Sequence, residues 1–246
     1  SVRGLRAAST PTASLAAPYP PAVPLDDNES APLRTDPLPP DPWPILTGWL
    51  DRAFARRDQP NPHTMYLATV DPDGTPSVRA VLAKRLDPSG YVVFYTNYRS
   101  RKARALESAP AAACFHWDHA ERQVRIEGEV TRSPGDESDA YFATRPWESQ
   151  VGAWASEQSE PIESRDALMA KVLETMVEHG VDPLAEPKPP LSRPPYWGGY
   201  RLHARQVELW ASGPGRVHDR GLWTRELRVT PEGVETAPWR VSRLQP

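Results

Sequence analysis

The chain predicts an α+β fold built on an antiparallel barrel, and three observations predict it. Short runs rich in β-branched and aromatic residues, roughly six or seven of them, recur between tight turns. "DPDG" (71–74) and "DPSG" (87–90) each join two such runs within a few residues, the mark of an antiparallel meander. Helical periodicity is confined to a few short segments. No GxGxxG follows a strand and no GxxxxGK[ST] occurs, so a doubly wound nucleotide-binding sheet has no support.

Residues 1–40 carry nine of the thirty prolines, with many Ala, Ser and Thr, and lack sustained apolar periodicity. Such a composition buries too little apolar surface to offset the entropy of ordering it. This Pro/Ala-rich stretch is therefore expected to be a flexible tail, and residues 41–246 the folded domain. Arg3 and Arg6, with no acid before Asp26, resemble a targeting peptide only faintly.

Asp41-Pro42 has the form of a helix start, an N-cap followed by proline. Ile45, Trp49, Leu50 and Phe54 then repeat at helical spacing, giving an amphipathic helix to about Arg57. Strands are expected at "TMYLATV" (64–70), "PSVRAVLAKRL" (76–86) and "YVVFYTN" (91–97). "SRKARALESAP" (100–110) reads as a short helix capped by Ser100 and stopped before Pro110. The sheet resumes at "AAACFHWD" (111–118) and "RQVRIEGEVTRS" (122–133). Helices over 136–145 and 147–156 flank Pro146. Leu168, Val172 and Met176 stripe a further helix over 164–180, which Gly180 closes. A proline-rich linker (182–195) leads into "YWGGYRLHARQVELW" (196–210), then "GRVHDR" (215–220), and "WRVSRLQP" (239–246) supplies a last strand.

The formal net charge of −3, from 29 basic and 32 acidic residues, argues against a general nucleic-acid coat. No apolar run reaches the ~20 residues of a membrane span, and no secretory core is visible. The only cysteine, Cys114, lies in the apolar run "AAACF", which excludes an internal disulfide and a Cys-based zinc cluster. A buried inert thiol and a cytoplasmic setting are expected. His63, His116, His119, His203 and His218 match no metal-ligand spacing, and no Ser-His-Asp or Cys-His pattern stands out. No metal is expected, and the chemistry is then that of an organic cofactor that the protein positions.

Several separate groups suit phosphate. "RAVLAK" runs from Arg79 to Lys84. Ser100, Arg101 and Lys102 open a helix, where free N–H groups and the dipole favour an anion. Tyr141 and Arg145, four apart, share a helix face, with Ser149 just beyond Pro146. Gln158-Ser159 and Trp210 add polar and aromatic surface. In an extended "GRVHDR", Arg216, His218 and Arg220 fall on one strand face. Taken singly, each group is also what a solvated or structural residue looks like.

In order and spacing, "RAVLAK", "FYTN", "SRKA", "ERQVRIEG", "YFATRPWESQVGAWASEQS", "WGGYRL", "RVHDR" and "RLQP" resemble the pyridoxamine 5'-phosphate oxidase family over about Asp41 to Pro246. The resemblance implies an FMN-binding split β-barrel, antiparallel with peripheral helices, that forms a homodimer with an FMN in each of two clefts between subunits. It assigns FMN contacts to Arg79, Ala80, Val81, Leu82, Ala83 and Lys84, to Tyr95 and Thr96, and to Arg101, Lys102 and Gln123. Gln158, Ser159, Trp210 and Arg220 complete that set. Substrate-phosphate contacts fall on Lys84, Tyr141, Arg145 and Ser149, while Arg216 and His218 lie over the substrate ring as the catalytic pair. Because Arg79 and Lys84 are five apart, a regular strand points them to opposite faces, so both serve one cleft only where the strand bends or ends.

The implied reaction is oxidation of pyridoxamine or pyridoxine 5'-phosphate to pyridoxal 5'-phosphate, with O2 as acceptor and H2O2 released. The substrate is then a small phosphorylated pyridine, with neither nucleic acid nor membrane as partner. Two alternatives are an FMN oxidase of a secondary-metabolite pathway acting on a phenazine-type planar substrate, and a low-turnover flavin- or pyridoxal-phosphate-binding protein. The chain departs from the family pattern at Ala211-Ser212, where Gln-Gly is usual, at Trp147, and in lacking an "RxxY" segment near its start.

Overall fold

A computed structural model describes residues 31–185 and 187–246. After a one-turn helix, α1 (Ala31–Arg34), comes α2 (Trp43–Arg56), whose start Asp41 caps by accepting the Trp43 N–H at 3.0 Å. The meander follows as β1 (Thr64–Val70), β2 (Pro76–Leu82), β3 (Arg85–Asp87) and β4 (Tyr91–Asn97). α3 (Arg101–Leu106) is capped by Ser100, whose Oγ accepts the Ala103 N–H at 3.4 Å. Next are β5 (Ala111–Trp117) and β6 (Arg122–Arg132), then α4 (Gly135–Ala143), α5 (Trp147–Ala155) and α6 (Arg165–Glu178). The chain closes with β7 (Trp197–Ala211), β8 (Asp219–Thr224), a hairpin of β9 (Leu227–Thr230) and β10 (Gly233–Thr236), and β11 (Arg240–Arg243).

The long β7 organises the sheet. Along one edge it pairs with β6 from Tyr200 to Ala211; along the other it pairs with β4 over its first half and β8 over its second. The sheet therefore runs β11-β8-β7-β6-β5-β1-β2, antiparallel, with β4 and β3 branching from β7. A register shift at Glu127/Gly128 bends the β6–β7 pair. Only glycine fits there: a Cβ on Gly128 would lie 1.8 Å from the His203 carbonyl oxygen. The concave side closes over Met65, Leu67, Phe94, Phe115, Ile126 and Leu202, each fully buried, and α2 seals it with Leu46 and Trp49. Each such side chain contributes about 1.5–3 kcal/mol by leaving water. Among the described residues no helix is long and apolar enough to cross a membrane.

Three expectations are corrected, and one element went unforeseen. The tail boundary at residue 40 falls inside packed structure: Leu33 is buried, Arg243 donates to its carbonyl at 2.8 Å, and Trp223 Nε1 donates to Pro39 at 2.8 Å. The expected tail's residues 1–30 lie outside the described residues. The strand expected over 76–86 is two strands, because the Ala83 N–H turns to the His63 carbonyl (2.9 Å) and the Lys84 N–H to that of Val93 (2.7 Å). β2 thus stays on β1 while β3 crosses to β4. "GRVHDR" is not one strand. Pro214–Arg216 forms a 3-10 turn, Arg216 takes φ 64°, and extension begins only at Asp219. Arg216, His218 and Arg220 therefore do not share a strand face. The hairpin over 227–236, not expected from the sequence, is formed around the turn Thr230-Pro231-Glu232-Gly233.

Candidate functional site

The break between β2 and β3 opens a cleft of about 540 Å³. Its floor is Ala80, Val81 and Leu82 of β2; Lys84 stands at the break, and Tyr95 and Thr96 of β4 form one wall. Lys102 and Gln158 close one end, and Tyr141, Arg145 and Ser149 the other. Residues separated by up to 78 positions in sequence thus meet where the strand ends; Lys84 lines the cleft there, whereas Arg79 does not.

At the first end Lys102 Nζ reaches Gln158 Oε1 (2.9 Å), Thr96 Oγ1 (3.2 Å) and Ser100 Oγ (3.3 Å). All three are neutral acceptors. Burial, with Arg79 nearby, pushes the Lys102 ammonium down to about 8. A partly buried cation surrounded by dipoles and another cation gains most from an anion. Arg79 stands behind it on the inner face of β2, donating to the Leu67 carbonyl and Thr69 Oγ1, both at 2.9 Å. Arg101 turns away to pair with Asp71 at 2.7 Å, Ala83 is buried in the break, and Ser159 is exposed at φ 80°.

The second end is an aromatic stack flanked by cations. Tyr95 and Tyr141 lie 4.0 Å apart between ring centroids, and Tyr95 lies 5.5 Å from Trp197 on its other neighbour strand. The Arg145 guanidinium sits 4.6 Å from the Trp197 ring and Lys84 Nζ 5.9 Å from that of Tyr141. Arg145 Nη1 is buried without a hydrogen-bond partner, and burial lowers the pKa of the guanidinium. Burial, then the charge of Glu137, holds the Tyr95 phenol up at about 12, so it stays neutral. Sequence reasoning did not assign Trp197 a role. The signal for it is the Gly198-Gly199 pair that follows: a Cβ on Gly199 would meet Ser133 Oγ at 2.6 Å and the Tyr95 ring at 2.9 Å.

The remaining candidates form a second cluster at the far end of β7. Trp210 pairs with Gln123 on β6 and with Arg220 on β8. Its ring lies 4.6 Å from His218. The Gly213 N–H donates to His218 Nδ1 at 3.3 Å, so the neutral ring carries its proton on Nε2. Arg220 Nη2 pairs with the buried Glu208 at 2.7 Å, which also binds Arg125 at 2.9 Å. Arg216 is exposed on the turn. At ~3.3 Å per residue, Trp197 and Trp210 are separated by roughly 40 Å along the strand. Within one chain, then, the candidates are divided between two places.

Residues 53–176 match the family described as "Pyridoxamine 5'-phosphate oxidase", and residues 197–246 match "Pyridoxine 5'-phosphate oxidase C-terminal dimerisation region". The chain is 45% identical over 207 residues to a pyridoxine/pyridoxamine 5'-phosphate oxidase of Roseobacter denitrificans, covering 83% of this chain and 94% of that protein. It is 47% identical over 207 residues to one of Burkholderia lata, covering 84% and 89%. Among solved structures it is similar to PhzG of Burkholderia lata in complex with tetrahydrophenazine-1-carboxylic acid: TM-score 0.72, 31% identity, 86% of this chain and 95% of that one. A pyridoxamine 5'-phosphate oxidase-related, FMN-binding protein of Nostoc punctiforme shares the fold at TM-score 0.59 and 18% identity.

Proposed function

The chain belongs to the pyridoxamine 5'-phosphate oxidase family, and on that premise we propose that it is an FMN-dependent oxidase of pyridoxamine or pyridoxine 5'-phosphate. One observation carries this reading: a single cleft has two cationic ends, Lys102 and the Lys84–Arg145 pair, and neither end has a carboxylate partner within it. Two ends of this kind suit two phosphates, one from the cofactor and one from the substrate.

Lys102, supported by Arg79 and oriented by Gln158 and Thr96, would hold the FMN phosphate. The buried unpartnered Nη1 of Arg145 fits an anion at the other end, with Lys84, Tyr141 and Ser149 completing the grip on the substrate. A homodimer explains the two separated clusters. Gln123, Trp210 and Arg220 of a second copy would complete the flavin site, and its Arg216 and His218 would cover the substrate ring. His218 would then offer a hydrogen bond from Nε2, while Glu208 fixes Arg220 in place.

The chemistry that FMN supplies when bound is acceptance of a hydride from C4' and return of the electron pair to dioxygen. With the amine, O2 and water are consumed and pyridoxal 5'-phosphate, ammonia and H2O2 are formed; with the alcohol, O2 alone is consumed and no ammonia forms. The lone, half-buried Cys114 agrees with a cytoplasmic setting.

The likeness to PhzG supports a second reading, oxidation of a phenazine-type planar substrate. Side-by-side turnover of pyridoxamine 5'-phosphate and tetrahydrophenazine-1-carboxylic acid separates the two. A higher kcat/KM for the phosphorylated pyridine is expected. Preference for the phenazine compound would reverse the assignment.

A further inference from the structure

Glu137 touches neither proposed ligand position, yet the two walls of the cleft meet through it. Its Oε2 pairs with Arg201 of β7 and lies 3.3 Å from Arg85 Nη2 on β3, while Oε1 accepts from Ser133 Oγ at 3.3 Å. The Glu137 side chain is only 16% exposed and Arg201 24%, so that pair is partly shielded from water, while the Arg85 pair reaches out to a side chain 45% exposed. Arg85 follows Lys84 directly. Glu137, Tyr141 and Arg145 are spaced by four along α4 and its closing turn, and so lie along one side of it. One carboxylate thereby ties the residue next to Lys84 to the helix that carries the opposing half of the grip.

α4 has other anchors. Phe142 is buried and meets Trp197 edge-on at 5.2 Å, and Arg193 pairs with Asp139 at 2.7 Å. Those contacts hold the helix on the sheet. Glu137 contributes what they do not: a direct link to β3, where Lys84 emerges.

We propose that Glu137 is a positioning residue for the phosphate grip, setting Tyr141 and Arg145 at the reach of Lys84 through Arg85 and Arg201. This rests on reading that end of the cleft as a phosphate site. The test uses FMN-loaded protein, titrated with inorganic phosphate by calorimetry and assayed with pyridoxamine 5'-phosphate. Glu137→Ala should weaken phosphate binding and raise KM about tenfold. Its kcat and FMN content should stay close to wild type even where loss of the ion pairs lowers the unfolding midpoint, and Glu137→Asp should recover part of the binding. Unchanged phosphate binding in Glu137→Ala overturns the proposal, as does a joint loss of kcat, FMN and stability. If the wild type binds phosphate without oxidising the substrate, the functional reading fails while the phosphate titration still decides the role of Glu137. A wild type that binds no phosphate overturns the positioning role as well.

Discussion

Tyr95 and Tyr141 stack with ring centroids 4.0 Å apart and planes 16° from parallel, joining β4 to α4 across the cleft. The stack and the hydroxyl have separable roles. Tyr141→Phe keeps the ring and should leave denaturant stability within about 0.5 kcal/mol while raising KM for the phosphorylated substrate. Tyr141→Ala should lose about 2–3 kcal/mol as well, since the paired ring and its burial both go.

Arg145 presents a buried donor with nothing to receive it. Removing such a charge relieves desolvation, so Arg145→Met should fold at least as stably as wild type. Its KM for pyridoxamine 5'-phosphate should rise roughly 10- to 100-fold, the worth of one charged hydrogen bond, with FMN content unchanged. Equal loss of FMN and substrate binding would refute the division of the cleft into two phosphate ends.

Lys102 gives a pH signature. Its ammonium is pushed down to about 8 in the folded chain, against 10.5 ordinarily. Between those values the unfolded chain binds more protons, so this group's contribution to the stability of the FMN-free protein rises with pH across that window and is flat below it. Anion binding runs the other way. FMN affinity should fall above pH 8 by up to about tenfold per pH unit, with proton uptake on binding. Titration calorimetry in buffers of different ionisation enthalpy measures that uptake, and Lys102→Met should abolish it.

The proposed sharing of the site between two copies makes a prediction about mixed dimers. Arg145→Ala and His218→Ala should each be nearly inactive alone. Unfolded, mixed in equal amounts and refolded together, they form heterodimers with one intact site, and about a quarter of wild-type activity should return. No recovery would contradict a site shared between two copies.

Local chemistry made much of the fold legible. Asp71-Pro72-Asp73-Gly74 and Asp87-Pro88-Ser89-Gly90 mark their turns by residue type, and Gly74 and Gly90 take φ 86° and 88°. The helix α6 announces itself by its period and by Ser164, whose Oγ accepts the Ala167 N–H at 3.0 Å. The break at Ala83-Lys84 has no such local mark. "PSVRAVLAKRL" reads as one strand because its interruption comes from the distant carbonyls of His63 and Val93. "GRVHDR" misleads in the same way: its alternation is real, but Val217 folds back so closely that a Cβ on Gly213 would lie 1.9 Å from the Val217 carbonyl oxygen. At the site, Lys84, Tyr141, Arg145 and Ser149 were legible and meet in one cleft. Glu137, Arg85 and Arg201 were not, because the Arg85–Glu137 and Glu137–Arg201 pairs span 52 and 64 positions in sequence and ordinary charged residues carry no motif.

Anaerobic mixing of FMN-loaded protein with pyridoxamine 5'-phosphate tests the central reading most directly. The flavin absorbance should bleach, one pyridoxal 5'-phosphate should form per flavin, and admitting air should restore the colour with release of H2O2. Flavin that stays oxidised, with no pyridoxal 5'-phosphate formed, would contradict the assignment.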